Sequence, residues 1–310
     1  MKNVLVLYYS QTGQLERVLR SLMQPFEGDA GVRVHFQPIV PERVYPFPWP
    51  VVTFFDQFPE CVQLVPPAVD LPGLDESIDY DLIVLGYQTW YLSPSLPATG
   101  LLKSRYAALL RDKPVVTVIG CRNMWYRGQL AVRQLIDAAG GRFAGIFVRE
   151  DQGTRAETFI TVTVWLLTGR RETWKGVLSP AGVSDAAIAD SARFGRQLLD
   201  GLHDGRIDRG QAVFDGADSA PVDPHYVLTE EIGWRGFRLG AGIVRLAGGP
   251  GRWQRIPLLG LFALCLGIGI VTIVPFGLVA LAVFKRSARY QRWLDQQIRY
   301  LQGDDLPRAG

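Results

Sequence analysis

The chain has 310 residues, enough for one large domain or two, each with its own core. A hydrophobic fraction of 48% and a mean hydropathy of +0.09 are high for a wholly soluble protein. The three cysteines, Cys61, Cys121 and Cys265, stand far apart with no CxxC or Cys/His spacing, which argues against a metal site and a disulfide framework and suits a reducing compartment.

The net charge of +3 conceals an asymmetry. Residues 235–310 hold 11 Arg/Lys against 3 Asp/Glu, and the remainder holds 22 against 27. A basic tail on an acidic body points to an anionic surface, and the apolar run beside it favours membrane lipid over nucleic acid. The N-terminus lacks the features of a signal peptide, because its apolar run is six residues long and no small-residue cleavage site follows. The first domain is therefore expected in the cytoplasm.

In chain order, 4–9 (VLVLYY) predicts a buried strand and 15–23 an amphipathic helix with Leu15, Val18, Leu19 and Leu22 on one face. Strands follow at 32–39, 81–87 (DLIVLGY), 114–120 (PVVTVIG) and 143–149, with helices at 98–111 and 129–139. Apolar strands alternating with helices imply a doubly wound parallel α/β sheet of five strands, covered on both faces, within residues 1–150. Residues 41–78 interrupt this order with PFPWP and FFDQFP. So long an irregular connection reads either as an ordered flap over the ligand edge or as a surface insertion with its own small core. Residues 151–250 are expected to form a helical and irregular extension. Within it, 158–168 is ambiguous between strand and helix, 185–203 is an amphipathic helix, and 204–224 is a loop. Ile256–Phe284 is 29 residues without a charge, longer than the ~20 needed to cross a bilayer. Trp253, Arg252 and Arg255 precede it; Lys285, Arg286 and Arg289 follow. A tilted transmembrane helix is favoured over a re-entrant hairpin broken at Pro275-Phe276-Gly277. Residues 285–302 then read as a basic amphipathic helix on the membrane surface, so that 251–310 is an anchor and tail.

Three loops fall at the carboxyl ends of strands, where a doubly wound sheet binds ligands. In the first, Ser10, Gln11, Thr12, Gly13 and Gln14 join a strand to a helix N-terminus. Unpaired N–H groups and the helix dipole favour an anion there, although ordinary helix capping uses the same residues. The second, 86–97 (GYQTWYLSPSLP), sets Thr89, Trp90 and Tyr91 where aromatic faces can stack on a planar ring or pack in a core. The third, 120–128 (GCRNMWYRG), holds Cys121, Asn123 and Trp125. Cys121 is the thiol at this edge, and Arg122 beside it would lower its pKa, which makes it the candidate catalytic nucleophile.

These three loops resemble the FMN-contacting loops of flavodoxin-like proteins. The resemblance implies a phosphate site at Ser10, Thr12 and Gly13, with Gln11 and Gln14 completing the loop. It places the flavin ring between the second loop, at Thr89, Trp90 and Tyr91, and the third, at Cys121, Asn123 and Trp125. Leu15 stands where the family commonly has another hydroxyl. SQTGQL, the PFPWP…FFDQFPE insertion and the apolar C-terminus together resemble the bacterial family labelled dialkylresorcinol condensing enzymes, associated with dialkylresorcinol and aryl-polyene lipids. That implies an inner-membrane protein with its flavodoxin-like domain cytoplasmic, an acyl or aryl-lipid substrate and a partner ketosynthase. An FMN-dependent redox step is the leading expectation. The alternatives are a non-flavin enzyme that condenses or cyclises β-keto acyl thioesters in the same cleft, and a non-enzymatic membrane scaffold for the ketosynthase.

Overall fold

The computed structural model describes residues 1–172, 176–214, 216–284 and 287–303. Five strands form one parallel sheet: β1 (Lys2–Tyr8), β2 (Val32–Pro38), β3 (Leu82–Tyr87), β4 (Pro114–Cys121) and β5 (Arg142–Glu150). Their spatial order is β2-β1-β3-β4-β5, the doubly wound flavodoxin-like arrangement, whose switch point lies between β1 and β3. Each central strand carries a buried, largely apolar run, such as Val4–Tyr8 of β1, because alternate side chains enter different cores. Leu5, Leu7, Ile83, Leu85 and Ile119 face one core, whereas Val4, Val6, Leu82, Val84 and Val118 face the other.

The second core is closed by two helices, α1 (Gln14–Met23) and α6 (Asp185–His203). α1 contributes Leu15, Val18, Leu19 and Leu22; α6 contributes Ile188, Phe194, Leu198 and Leu202. The core thus continues well past residue 150. On the first face lie α3 (Leu96–Leu102) and α4 (Tyr126–Ala138). The helix expected over 98–111 is divided: α3 ends at Leu102, and a 3-10 turn over Arg105–Leu110 follows, capped by Ser104. The ambiguous segment 158–168 belongs to α5 (Arg155–Thr168), whose Thr154 and Glu157 form a reciprocal capping box.

The insertion contains α2 (Val51–Val62), and its buried face is continuous with two later helices, α7 (Pro224–Arg245) and α8 (Ile256–Phe284). Phe58 of α2 stacks on Phe262 of α8 with ring centroids 4.0 Å apart, and Phe237 of α7 meets both rings edge-on. The insertion also reaches the sheet's carboxyl edge, where Tyr45 and Trp49 pack on Trp90.

α8 is one continuous helix over Ile256–Phe284, the form favoured for this run over a hairpin. The C-terminal region departs from expectation in two other respects. Among the described residues no helix is long and apolar enough to cross a membrane. The side chains of α8 are described through residue 269 and at Thr272, so the second half of the expected span lies outside them. The amphipathic tail, α9 (Ala288–Gln302), buries its apolar stripe in protein. Leu294 and Leu301 enter the first core with Trp293 and Ile298 against it, and Arg133 of α4 lies over the rings of Phe143 and Tyr300. A stripe of this kind does not record in sequence whether lipid or protein will cover it.

Candidate functional site

The first loop ends at a helix N-terminus whose N-cap residue makes no side-chain hydrogen bond. Gly13 is the N-cap of α1, has φ +77°, and offers no side chain. A Cβ built there would meet nothing within 4 Å, so the space above it is open. The first-turn N–H groups of α1 have no intrahelical partner, and the helix dipole makes this end attractive to an anion. Ser10 Oγ accepts the Glu16 N–H at 3.2 Å, Gln11 Nε2 donates to the Pro46 carbonyl at 3.0 Å, and Gln14 Nε2 donates to the Val183 carbonyl at 3.3 Å. Thr12 and Gly13 remain exposed. Leu15 points away from this space into the core, against Gly120, so that position contributes only its backbone.

The second loop is a short antiparallel ribbon, Thr89–Trp90 against Ser93–Pro94. Its two turn residues, Tyr91 (φ +49°) and Leu92 (φ +59°), both adopt a left-handed conformation that favours Asn or Gly. Such strain persists where surroundings over-determine it. Here Tyr91 donates its hydroxyl to the Phe54 carbonyl at 2.5 Å and packs its ring on Phe54 and Phe58. Trp90 meets Tyr9, Tyr45 and Trp49 edge-to-face at 6.0, 5.1 and 5.6 Å. The insertion therefore holds this loop in place. Two buried acceptors in the loop, Gln88 Oε1 and Thr89 Oγ1, have no hydrogen-bond partner.

The third loop separates the residues predicted from it. Asn123 is half-buried, with Nδ2 3.4 Å from the Tyr226 hydroxyl, and its Oδ1 accepts from Arg122 Nε. Trp125 is fully buried and donates its indole N–H to Glu150 at 2.9 Å, so it presents no face to the cleft. Burial pushes the Cys121 thiol well up, and the charges of Glu150, Asp151 and Glu230 push it further than Arg122 pulls it down. It is held as a thiol, the form least able to attack a carbonyl.

Two acids around this loop do not stand out in the sequence. Burial lifts the carboxyl of Asp151 to about 7, against the opposing pull of Arg122. Burial lifts that of Glu230, on α7, to about 8, although its Oε2 accepts the Arg127 N–H at the start of α4 at 3.0 Å. Asp151 immediately follows a strand and carries a positional signal. Glu230 carries none, because more than a hundred residues separate it from the helix end that it caps.

The structure thus gathers Ser10 to Gln14, Thr89 to Tyr91, and Asn123 at one sheet edge, with Trp125 behind it. Among the described residues no cluster of His, Cys, Asp and Glu could hold a metal ion. No family model and no curated protein matches the chain. Among solved structures it is similar to a flavoprotein in complex with FMN from Lactobacillus acidophilus NCFM (18% identity, 48% of this chain and 93% of that one, TM-score 0.38). It is also similar to a flavodoxin from the domain Archaea (11%, 65% and 99%, TM-score 0.34) and to a flavone reductase (12%, 68% and 65%, TM-score 0.36).

Proposed function

We propose that this protein is a flavodoxin-like flavoprotein that binds FMN at the carboxyl edge of its sheet and performs a redox step on an acyl or aryl-lipid substrate at the bacterial inner membrane. The observation that carries the reading is the open N-terminus of α1 above Gly13, lying on the same sheet edge as the unpartnered Gln88 Oε1 and Thr89 Oγ1. The first could hold a phosphate, and the second pair could accept from the polar edge of a flavin. FMN, when bound, supplies hydride or electron transfer. The chain's own part is to bind and exclude water. Thr12, Gly13 and the backbone N–H groups of α1 hold the anion. Trp90 and Tyr9, buttressed by Tyr45 and Trp49, wall the cleft. Asp151, with its carboxyl near 7, can hold or release a proton at neutral pH.

The membrane part of the proposal is supported by the uncharged run Ile256–Phe284 and by the apolar side chains it exposes, including Leu261, Leu264 and Ile268, each more than half exposed. Trp253, 72% exposed at its start, suits an interfacial position. A ketosynthase would then form the carbon–carbon bond, since the buried Cys121 thiol is poorly placed for condensation.

The test is a titration of FMN into the detergent-purified full chain, followed by flavin fluorescence. Saturable quenching at one FMN per chain supports the reading; fluorescence identical to that of free FMN at all ratios removes it.

A further inference from the structure

A second site lies outside the three strand-end loops, except for its contact with Leu96. Between the insertion and the turn after α7 is a cavity of about 540 Å³, within the range of small-molecule sites. Two of the polar side chains lining it are buried donors without partners: the Tyr45 hydroxyl, on a residue 5% exposed, and Gln57 Nε2, on a residue 2% exposed. Buried polar groups are nearly always hydrogen-bonded, so two orphaned donors on one cavity call for an acceptor between them. Burial pushes the Tyr45 hydroxyl far up, so it remains a donor at any physiological pH.

The charged side chains that line the cavity leave one cation in excess: Arg43 and Arg245 stand against Glu60. Arg255 pairs with Asp56 and Glu60, and Arg245 lies 3.5 Å from Glu60, while Arg43 is exposed at the rim. The rest of the wall is apolar, from Val65, Pro66, Pro67 and Pro250. An occupant that satisfies all of this has a single negative charge, two acceptor oxygens and a hydrocarbon body. A phosphate dianion would leave one charge unmatched in a partly buried place.

We propose that this cavity binds the carboxylate end of a medium-chain acid, with Tyr45 and Gln57 donating to its oxygens and Arg43 covering its charge. The site needs no flavin. Its Tyr45 ring is nonetheless 5.1 Å from that of Trp90, so an occupant would sit one ring away from the strand-end cleft.

The experiment is calorimetric titration of the detergent-purified full chain, without added FMN, using octanoate and, separately, inorganic phosphate. Octanoate is expected to bind at one saturable site and phosphate to give no heat beyond dilution. Tyr45→Phe with Gln57→Leu should weaken octanoate about tenfold or more, the loss expected for two hydrogen bonds. If that variant does not fold, Arg43→Gln, a change at an exposed rim position, should still weaken octanoate several-fold. Absence of octanoate binding to the unaltered chain, undiminished affinity in a folded variant, or phosphate binding as tightly as octanoate would each overturn the proposal.

Discussion

Arg255 and Glu60 meet as a buried pair, Nη2 to Oε2 at 2.8 Å and Nη1 to Oε1 at 3.2 Å, and join two parts of the chain 195 residues apart. The same guanidinium donates to the Asp56 carbonyl at 3.1 Å. Its Nε lies 3.0 Å from Asp56 Oδ1, close enough for an ion pair though too poorly angled for a hydrogen bond. Asp56 Oδ2 in turn accepts the Gly251 N–H. The insertion that buttresses Trp90 and Tyr91 is thereby fixed to the root of the long apolar helix, which mechanically connects the cleft wall to the proposed anchor.

Removing one partner of a buried pair leaves the others charged and unmatched. Arg255→Met is expected to cost ~3 kcal/mol and to loosen residues 41–78 first. Limited proteolysis, with cleavage sites mapped by mass spectrometry, should show new cuts there. Replacing Asp56 and Glu60 by apolar residues in the same variant should restore much of the resistance. An unchanged digestion pattern in Arg255→Met would show that the pair does not hold the insertion.

Gly195 of α6 has no room for a side chain. A Cβ there would lie 1.8 Å from the Leu22 carbonyl oxygen of α1, a backbone atom that cannot rotate aside. Gly195→Ala would ordinarily favour a helix interior. Here it must push the two helices apart, at an expected cost of about 3 kcal/mol. Thermal unfolding measures it, and a variant as stable as the parent would show that the helices are not so closely packed.

The buried Glu230 carboxyl gives stability a pH dependence of definite sign. Its ordinary value of 4.5 in the unfolded chain rises to about 8 in the fold. Between those values the folded state keeps a proton that the unfolded state has released, so stability is full below about 4.5 and is lost as pH rises through about 8. Asp151 adds to the fall through about 7. Glu230→Gln keeps an oxygen to accept the Arg127 N–H and removes the titration. Its melting temperature should decline less between weakly acidic and alkaline pH, by the equivalent of ~2 kcal/mol. Parallel pH profiles for the parent and the variant would contradict this.

The phosphate cradle predicts that Ser10→Ala with Thr12→Ala weakens FMN binding about tenfold or more, because it removes the hydroxyl that braces the Glu16 N–H and one exposed donor. Leu15→Ala should instead cost stability, since that side chain is core. Calorimetry with FMN and thermal unfolding separate the two effects. Unchanged FMN affinity in the double variant would remove the cradle.

The central strands were legible because they are buried on both faces and read as apolar runs that lead into Gly or hydroxyl residues, and the edge strand β2 because Val and Phe alternate there with Arg and His. The first loop was legible for the same local reason. The sequence could not show what long-range contacts decide. Trp125 sits where a ring contact was expected, yet it turns inward to Glu150. Leu15 occupies the place of a hydroxyl, yet it faces the core. The insertion left flap and surface readings open, because the residues that fix it, Phe237, Arg255 and Phe262, come almost two hundred residues later. The stripe of α9 does not distinguish a membrane-facing helix from a packed one, because Leu294 and Leu301 have the same spacing whether lipid or protein covers them.

The most direct test of the central claim is the visible absorption spectrum of the detergent-purified full chain, recorded after incubation with FMN and gel filtration. Flavin bands are expected to co-elute with the protein in about one-to-one ratio and to bleach on reduction. A colourless protein peak, with all FMN eluting in the small-molecule volume, would contradict it.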